Sequence, residues 1–407
     1  MYKQLCYNTK QDCLNHRRYT IPENEENNRY KEFNQTLFTA GDTQQFLSKL
    51  TYSNSQITNT FNYLYHKFKK GIFVMIKDNK LESFIPFSKK NYINEWSQLL
   101  DMDNVKQIMK SIGIKYNWKH ELWYANNFII RNEFPSREKD SGICQLKHLF
   151  LYLCEHTTIK DCYFFLNKRD FPLLRKDKTE PYDSIFGKGV DLISHKYKSY
   201  APILSMCTTK EFKDIPIPTW EEWTNIQSYE GKFFPKPIID KENITNFCND
   251  WNLKKNIAVF RGSSTGIGVC KSTNTRIKLA NMSHPLLDVG ITNWNNRPRI
   301  KKVNNKLILE SFCNRKLVKA NWLTPKEQSY YKYIIHVDGH TSSYRLPLEM
   351  SMQSVILKVQ SDYKMWFFDK LEEGKHYISV KRDLSDLIEK LEWCESNQEI
   401  CKEIAKN

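Results

Sequence analysis

The sequence predicts an α/β fold with a parallel sheet in the second half of the chain, and two observations support this. Short apolar runs alternate there with polar loops and segments of helical periodicity, which is the pattern of βαβ units. Two of these runs are followed by loops rich in Gly, Ser and Thr, at the strand ends where parallel sheets bind their ligands. With 407 residues, the chain is long enough for two or three domains.

In the first half, CQLKHLFLYLCEH predicts a buried helix, and CYFFL predicts a strand that runs into the charged turn NKRDFP. APILSMC has the composition of another strand. The segment that follows, EFKDIPIPTWEEW, is predicted to be extended, because Pro216 and Pro218 disfavour helix. This proline-rich stretch, ending near residue 225, is the predicted boundary between two domains.

The second half alternates more clearly. NIAVF predicts a strand that ends in the loop RGSSTGIG, and NTRIKLANMS predicts a helix. YKYIIHV is a second strand, followed by the loop DGHTSS and the short helix YRLPLEMSMQ. SVILKV and HYISV are a third and a fourth strand, and the last residues are helical.

Composition limits the classes of protein. Lys and Arg outnumber Asp and Glu by 62 to 46, a net charge of +16, which favours anionic partners. No nucleic-acid-binding motif is present, so we expect no nucleic-acid partner. The 11 cysteines contain no CxxC pair, which argues against a zinc ribbon. The first residues show no signal-peptide core and no apolar stretch is long enough to span a membrane, so the expected compartment is the cytoplasm.

The loop after the NIAVF strand has side chains and backbone suited to phosphate binding. It matches neither the P-loop nor the dinucleotide-binding glycine pattern, which argues against a phosphate-hydrolysing motor protein. An ordinary glycine turn is the alternative interpretation. The candidate residues of this loop and the helix after it are Arg261, Gly262, Ser263, Thr265 and Arg276.

The loop after the YKYIIHV strand is the second candidate. Its hydroxyl groups can cap the next helix or donate to phosphate oxygens, and Arg345 can form a bidentate pair with a diphosphate. A capped helix with a surface arginine is the alternative. The candidate residues are Asp338, Gly339, Ser342, Ser343 and Arg345. Glu349, one turn later, is either an acceptor for ribose hydroxyls or a solvated helix residue.

Asp170 follows an apolar strand, so its carboxylate is suited to take a proton from an attacking hydroxyl group. The alternative is a salt bridge to a neighbouring basic residue or a turn cap. The spacing of His336, Asp338 and His340 would suit a metal on a strand, but buried or loop histidines are the expectation, and we predict no metal site. Trp220 and Trp223 are candidates for stacking on a sugar, with burial as the commoner fate.

Six segments occur in a fixed order along the chain: NKRDFP, PILSMCTTKEFKDIPIP, VFRGSSTG, YKYIIHVDGHTSSYRLP, SVILKVQSDYKMWFFDKL and HYISVKRDLSDL. Their order and spacing resemble glycosyltransferase family 90, which includes the Rumi-type protein O-glucosyl- and O-xylosyltransferases and fungal capsule-associated xylosyltransferases. The resemblance covers roughly residues 140–405, and residues 1–135 show none.

This resemblance implies a GT-B architecture, in which two Rossmann-like domains face a cleft and a C-terminal helix crosses back to the first domain. It implies an inverting, metal-independent transfer of glucose or xylose from a UDP-sugar to a hydroxyl of a glycan or protein acceptor, with no further cofactor. By position, Asp170 falls on the family's catalytic base and Arg345 on the arginine that neutralises the diphosphate. The other nucleotide-binding positions it implies are Arg261, Ser263, Arg276, Asp338, Ser342 and Ser343.

The domains expected from the resemblance have these limits: an N-terminal extension with the start of the acceptor domain over 1–135, an acceptor-side domain over 136–225, a nucleotide-sugar-binding domain over 226–385 and a C-terminal helix over 386–407. The alternative function is an inactive module of the same fold that binds a UDP-sugar or a glycan. The oligomeric state and the choice between glucose and xylose stay open.

Overall fold

A computed structural model describes most of the second half of the chain and parts of the first. The described ranges are 54–68, 70–88, 114–117, 122–125, 128–130, 141–177 with 179, 200–226, 247–295, 299–304, 306–310 and 319–407. These residues fall into two compact units. The first comprises the described residues up to Trp220 together with 302–309, and the second comprises those of 221–301 and 310–407.

The first unit is built on a mixed sheet of five strands in the order β2-β1-β6-β7-β8. β1 pairs antiparallel with β2 and β6, whereas β6, β7 and β8 are parallel. Its strands are β1 (Lys70–Lys77), β2 (Lys80–Ser88), β6 (Cys162–Leu166), β7 (Ile203–Ser205) and β8 (Ile215–Pro216). Three short strands form a separate antiparallel sheet: β3 (Ile114–Asn117), β4 (Leu122–Ala125) and β5 (Phe128–Ile130).

Apolar clusters cover the two faces of the first sheet because alternate side chains of each strand point to opposite faces. On β1, Phe73 and Met75 belong to one cluster, and Ile72 and Val74 belong to the other. The helices of this unit are α1 (Asn54–Asn62), which continues into a π-helical segment (Tyr63–Phe68), and α2 (Ser141–His156). α2 packs its apolar stripe on the second cluster, as its sequence predicts.

The second unit contains a parallel sheet of five strands in the order β10-β9-β13-β14-β15. Its strands are β9 (Lys255–Ser263), β10 (Leu287–Asn293), β13 (Tyr331–His336), β14 (Val355–Val359) and β15 (Ile378–Val380). Every residue of β13 is buried, as expected for a central parallel strand with both faces covered. β11 (Arg299–Val303) and β12 (Lys306–Glu310) form a separate two-stranded sheet, and their residues from 302 to 309 belong to the first unit.

The helices from residue 220 onward are α3 (Trp220–Ile226), α4 (Thr275–Ala280), α5 (Pro325–Gln328), α6 (Leu346–Ser351), α7 (Leu387–Ser396) and α8 (Gln398–Lys406). The last two bury Leu391, Cys394 and Cys401 in the apolar cluster of the second sheet. The sequence predicts one helix here, and the structure has two. The GT-B arrangement, the crossing of the last helix to the first domain and the domain limits at 135, 225 and 385 stay predictions.

The α/β class predicted from the sequence is confirmed, with one mixed and one parallel sheet. Asp170, Pro216 and the strands predicted from 162 onward lie where the pattern places them. The extended conformation predicted through TWEEW is wrong, because α3 begins at Trp220, and Pro218 restricts the residue before it rather than those after it. β10 and the β1–β2 hairpin were not predicted. Within the described residues, no helix combines the length and apolar character that a membrane span needs.

Candidate functional site

The second sheet places two loops side by side. Taken along the chain, its parallel strands have the spatial order 2-1-3-4-5, so the connections from β9 and β13 leave the sheet in opposite directions. The crevice at such a reversal is where open α/β sheets bind ligands. The loop after β9 (264–274) and the loop after β13 (337–345) meet at this point, and these are the two loops that the sequence predicts for phosphate binding.

Asn274 shapes the first loop from inside. Its side-chain oxygen accepts from the backbone N–H of Ile277 at 3.1 Å and so caps α4. Its Nδ2 donates to the carbonyl oxygen of Gly268 at 3.0 Å. Gly266 has φ of +147°, and a Cβ there would lie 2.7 Å from Nδ2 of Asn274. Glycine is therefore required at position 266 for two reasons: its backbone φ is one that other residues rarely adopt, and a side chain would clash with Asn274.

Arg276 joins the two loops. Its guanidinium donates to Thr265 Oγ1 at 2.6 Å in the first loop, and to the carbonyl oxygens of Val337 and Asp338 at 2.8 and 2.9 Å in the second. Burial, followed by the neighbouring charge of Arg345, lowers the pKa of Arg276 to about 9. At neutral pH it therefore keeps its positive charge, but its donors serve the loops themselves.

Arg261 also has its donors occupied within the unit. Nη2 lies 2.6 Å from a carboxylate oxygen of Asp288, and Nε donates to the carbonyl oxygen of Asn321 at 3.0 Å. The two Nη1 hydrogens are taken by the carbonyl oxygens of Phe260 and Asp288. Arg261 thus braces β9 against β10 and the segment before α5.

The second loop is held by Asp338. Its carboxylate accepts from the backbone N–H of Ser343 at 3.0 Å, and its other oxygen accepts from the hydroxyl of Ser361. Gly339 brings the loops close together, since a Cβ at this position would lie 2.9 Å from Thr265 Oγ1. The Ser342 hydroxyl is buried and makes no hydrogen bond among the described residues.

Arg345 differs from the other two arginines. Its Nη1 donates to the carbonyl oxygen of Arg261 at 2.6 Å, and its Nε lies 2.7 Å from Glu349 Oε1, an ion pair in which the N–H is not aligned on the oxygen. The guanidinium stacks over Phe260, 5.4 Å from the ring centre. Its Nη2 makes no hydrogen bond to any residue that the structure describes, and 30% of the side chain is exposed.

These features surround a cleft of about 570 Å³ in the second unit. Of the predicted nucleotide-binding residues, six line it: Arg261, Gly262, Ser263, Arg276, Ser343 and Arg345. The other four do not line it: Thr265, Asp338, Gly339 and Ser342. Residues that the sequence pattern does not single out also line it, among them Thr292, Asn293, Trp322, Gln328 and Tyr344.

Trp322 is the most prominent residue that the sequence reasoning missed. It lines the cleft and is 67% exposed. The signal in the sequence is weak, because NWLTP lies between elements and carries no periodicity. Trp223, one of the two tryptophans considered for sugar stacking, is buried, and Trp220 lies against Gly142.

Glu349 has neither of its predicted roles. It is 2% exposed, and its carboxylate lies between Arg345 and His336 Nδ1, which is 2.6 Å from Oε2. It is therefore neither a solvated helix residue nor open to a ribose. His340 Nδ1 lies 3.2 Å from the carbonyl oxygen of Gly266. Among the described residues, no three His, Cys, Asp or Glu side chains gather in a way that could hold a metal ion.

Asp170 lies in the first unit, on the turn that follows β6, and it is exposed. Asp214 holds the residues that follow this turn. It is buried, and its carboxylate accepts from the backbone N–H groups of Leu173 and Leu174, each at 2.8 Å. Burial raises the pKa of Asp214 despite these hydrogen bonds. Arg169 points away from the turn surface and donates through Nε to the carbonyl oxygen of Phe68 at 3.0 Å.

The chain matches the family model described as glycosyl transferase family 90 over residues 93–407. The match begins well before residue 140, so the family resemblance covers more of the chain than the motifs predict. The chain is 38% identical to uncharacterized protein 035R of Invertebrate iridescent virus 3 over 98% of its own length and 42% of that protein. It is 39% identical to uncharacterized protein 179R of Invertebrate iridescent virus 6, over 93% of its length and 40% of that protein.

Human protein O-glucosyltransferase 3 is 29% identical over 74% of the chain and 53% of the human protein. The chain spans about half or less of the length of these relatives. The ordered motifs, the paired loops at the reversal of a parallel sheet and the match over most of the chain agree, and the chain belongs to glycosyl transferase family 90.

Proposed function

We propose that the chain transfers glucose or xylose from a UDP-sugar to a hydroxyl group of a glycan or protein, with inversion at the anomeric carbon and without a metal ion. The observation that carries this proposal is the guanidinium of Arg345. It is fixed on one side by Glu349 and the Arg261 carbonyl, and its Nη2 has no hydrogen bond to the described residues. A diphosphate in the cleft would supply the missing acceptor oxygens.

Charge supports the same assignment. Arg276 is buried beside Arg345 and keeps its proton at neutral pH, so the two arginines raise the potential where negative charge would develop on a leaving UDP. The Ser343 and Ser263 segments line the same cleft and bring further donors toward a phosphate. Fixed cations of this kind can stabilise a leaving diphosphate in place of a metal ion.

In the proposed reaction, Asp170 takes the proton of the acceptor hydroxyl group. The freed oxygen forms a bond to the anomeric carbon as the bond from that carbon to the β-phosphate oxygen breaks, and UDP leaves with the bonding electrons. A single displacement of this kind inverts the anomeric carbon and needs no covalent intermediate. A hydrogen bond network holds the turn of Asp170, which suits a base that must meet the hydroxyl in one orientation.

The relatives support the reaction class. Proteins named protein O-glucosyltransferase 3 and 2 share 26–29% identity with this chain over about three quarters of its length. Glucose is therefore the first donor sugar to test, with xylose second. The proposed acceptor is a glycan or a protein, and the proposed compartment is the cytoplasm.

The test is to incubate the purified chain with UDP-glucose, UDP-xylose and UDP-galactose, with and without EDTA, and to measure UDP release. Turnover of UDP-glucose or UDP-xylose that is insensitive to EDTA is expected, even if it is only slow hydrolysis without an acceptor. Calorimetric UDP binding without turnover, across a panel of glycan and protein acceptors, would favour the inactive binding module instead. Turnover that EDTA abolishes would contradict the metal-independent mechanism.

A further inference from the structure

Glu349 occupies an unusual position behind the cleft. It lies one helical turn after Arg345 and is almost completely buried. Burial alone would raise the pKa of its carboxyl group, but Arg345 and His336 outweigh that effect and hold the pKa below its ordinary value. The buried side chain is therefore a carboxylate, and each of its oxygens faces a different partner.

His336 is the partner on the strand side. It is the last residue of β13, it is 1% exposed, and its Nδ1 lies 2.6 Å from Glu349 Oε2. Because a carboxylate only accepts hydrogen bonds, Nδ1 carries the hydrogen. Nε2 is buried, without a hydrogen bond among the described residues, and lies 4.0 Å from Asp338 Oδ1. The imidazole therefore fixes the rotation of the Glu349 carboxylate against the strand.

Arg345 is the partner on the cleft side. An arginine side chain has several rotatable bonds, and a free one would lose much of that freedom on binding an anion. Here Glu349 beside Nε and the Arg261 carbonyl at Nη1 hold two of the three guanidinium nitrogens, and Phe260 supports its face. Nη2, which makes no hydrogen bond among the described residues, is the nitrogen that can meet a ligand.

We propose that Glu349, oriented by His336, is a positioning residue that fixes Arg345 in advance for the diphosphate of the donor. This rests on the function proposed above. Glu349 itself touches no substrate, since it is buried behind the arginine. Its whole effect on donor binding is expected to pass through Arg345. Replacing a residue that merely stabilises the fold would instead lower the affinity for every ligand, whether or not the ligand contacts Arg345.

The experiment measures calorimetric dissociation constants of the full chain for UDP and for uridine, which lacks the diphosphate. The variants are Glu349→Gln, Arg345→Ala and the double variant. Each single change is expected to weaken UDP binding roughly 10- to 100-fold. The double variant should bind UDP no more weakly than Arg345→Ala alone, and uridine binding should stay within about twofold throughout.

Two outcomes overturn the inference while leaving the proposed function in place. One is an additive loss of UDP affinity in the double variant, and the other is an equal loss of uridine and UDP affinity in Glu349→Gln. If the wild-type chain bound no UDP at all, the proposed function would fail first, and the inference would fall with it.

A second pair of variants protects the test if Glu349→Gln does not fold. His336→Asn keeps a side-chain N–H near the position of Nδ1, whereas His336→Leu has none. UDP affinity close to wild type in the first and a loss of about 10-fold in the second are expected. Equal UDP affinity in these two variants would contradict the role of His336.

The matched control is Tyr333→Phe. It removes a buried hydroxyl on the same strand that donates to Glu395 at 2.7 Å, and it has no link to Arg345. It should lower the melting temperature without changing UDP affinity. A change of UDP affinity in this control would mean that loss of stability alone explains the other variants.

Discussion

Asn167 donates through Nδ2 to the carbonyl oxygen of Phe171, 2.7 Å away, and so closes the turn that carries Asp170. Its Oδ1 accepts from the backbone N–H of Arg169 at 2.7 Å, and its Nδ2 also lies 3.0 Å from the hydroxyl of Ser205. One buried amide thus spans the whole turn. The backbone on both sides of Asp170 is therefore held by hydrogen bonds.

Asp170→Asn is expected to lower kcat by at least about 100-fold, because the amide cannot accept the proton of the acceptor hydroxyl group. UDP affinity should not change, since Asp170 and the cleft proposed to bind UDP lie in different units of the chain. Initial rates of UDP release with an acceptor, and calorimetry with UDP, give the two quantities.

Glu82→Gln is the control for this experiment. Glu82 is an exposed carboxylate on β2 of the same unit, so the substitution makes the same change of charge without touching the turn. It should retain the wild-type rate. Transfer by Asp170→Asn at the wild-type rate would remove Asp170 from the mechanism.

Arg345→Ala should weaken UDP binding by about 1.5–3 kcal/mol, the usual value of a hydrogen bond to a charged group. Arg345→Lys should recover only part of this, because an ammonium group keeps the charge but cannot form the planar paired contact. Calorimetry with UDP measures both. Arg382→Ala, which removes an exposed arginine paired with Asp362 in the same unit, should bind UDP like the wild type; a similar loss there would point to net charge alone.

Much of the second sheet could be predicted because its strands are continuous apolar runs. The apolar runs of β9, β13 and β14 are short, rich in β-branched and aromatic residues and bounded by polar loops, and these features together predict strands. β10 was missed because Asp288 and Gly290 interrupt its apolar pattern. Both have a reason that only the fold reveals: Asp288 pairs with Arg261 on the neighbouring strand, and a Cβ at Gly290 would lie 2.3 Å from Ala320.

The sequence does carry a signal for the β1–β2 hairpin. Asp78 and Asn79 separate two apolar runs and have φ of 49° and 57°, the positive values that a tight two-residue hairpin turn needs and that Asp and Asn tolerate. Asn79 also accepts from the backbone N–H of Ile159 at 2.7 Å, which ties the turn to the segment after α2. That second contact depends on residues far apart in sequence.

The candidate site was predictable in composition but not in the roles of its members. From the sequence, Arg261, Arg276 and Arg345 are equivalent candidates for phosphate binding. In the structure they differ in the acceptors to which each guanidinium donates. The acceptors that occupy Arg276 are mostly backbone carbonyls, such as those of Val337 and Asp338, about sixty positions away. Side-chain identity carries no information about such partners.

Trp322→Ala tests the cleft residue that the sequence did not reveal. Its exposed indole is suited to stack on the uracil ring or the sugar, and loss of one such stacking contact costs about 1–3 kcal/mol. We therefore expect UDP affinity to fall by roughly 5- to 150-fold. Quenching of tryptophan fluorescence by UDP should shrink in Trp322→Phe, because the indole that would stack on UDP is absent.

Trp393→Ala provides the comparison, since Trp393 is another exposed tryptophan of the second unit, on α7, and does not line the cleft. Its removal should leave both UDP affinity and the UDP-dependent quenching unchanged. If the two alanine variants bound UDP equally well, Trp322 would have no part in nucleotide binding.

His148 predicts how the stability of the first unit depends on pH. It is 1% exposed on α2, and burial lowers its pKa from 6.5 to about 4. Between these values the unfolded chain holds a proton that the folded chain does not, so the free energy of unfolding falls as pH decreases from about 6.5 to 4. A shift of this size corresponds to about 3 kcal/mol across the window.

Urea unfolding at several pH values should show this loss of unfolding free energy in the wild type and much less of it in His148→Leu. His156→Leu, at an exposed position of the same helix, should keep the wild-type dependence, and an unchanged slope in His148→Leu would assign the loss to other groups.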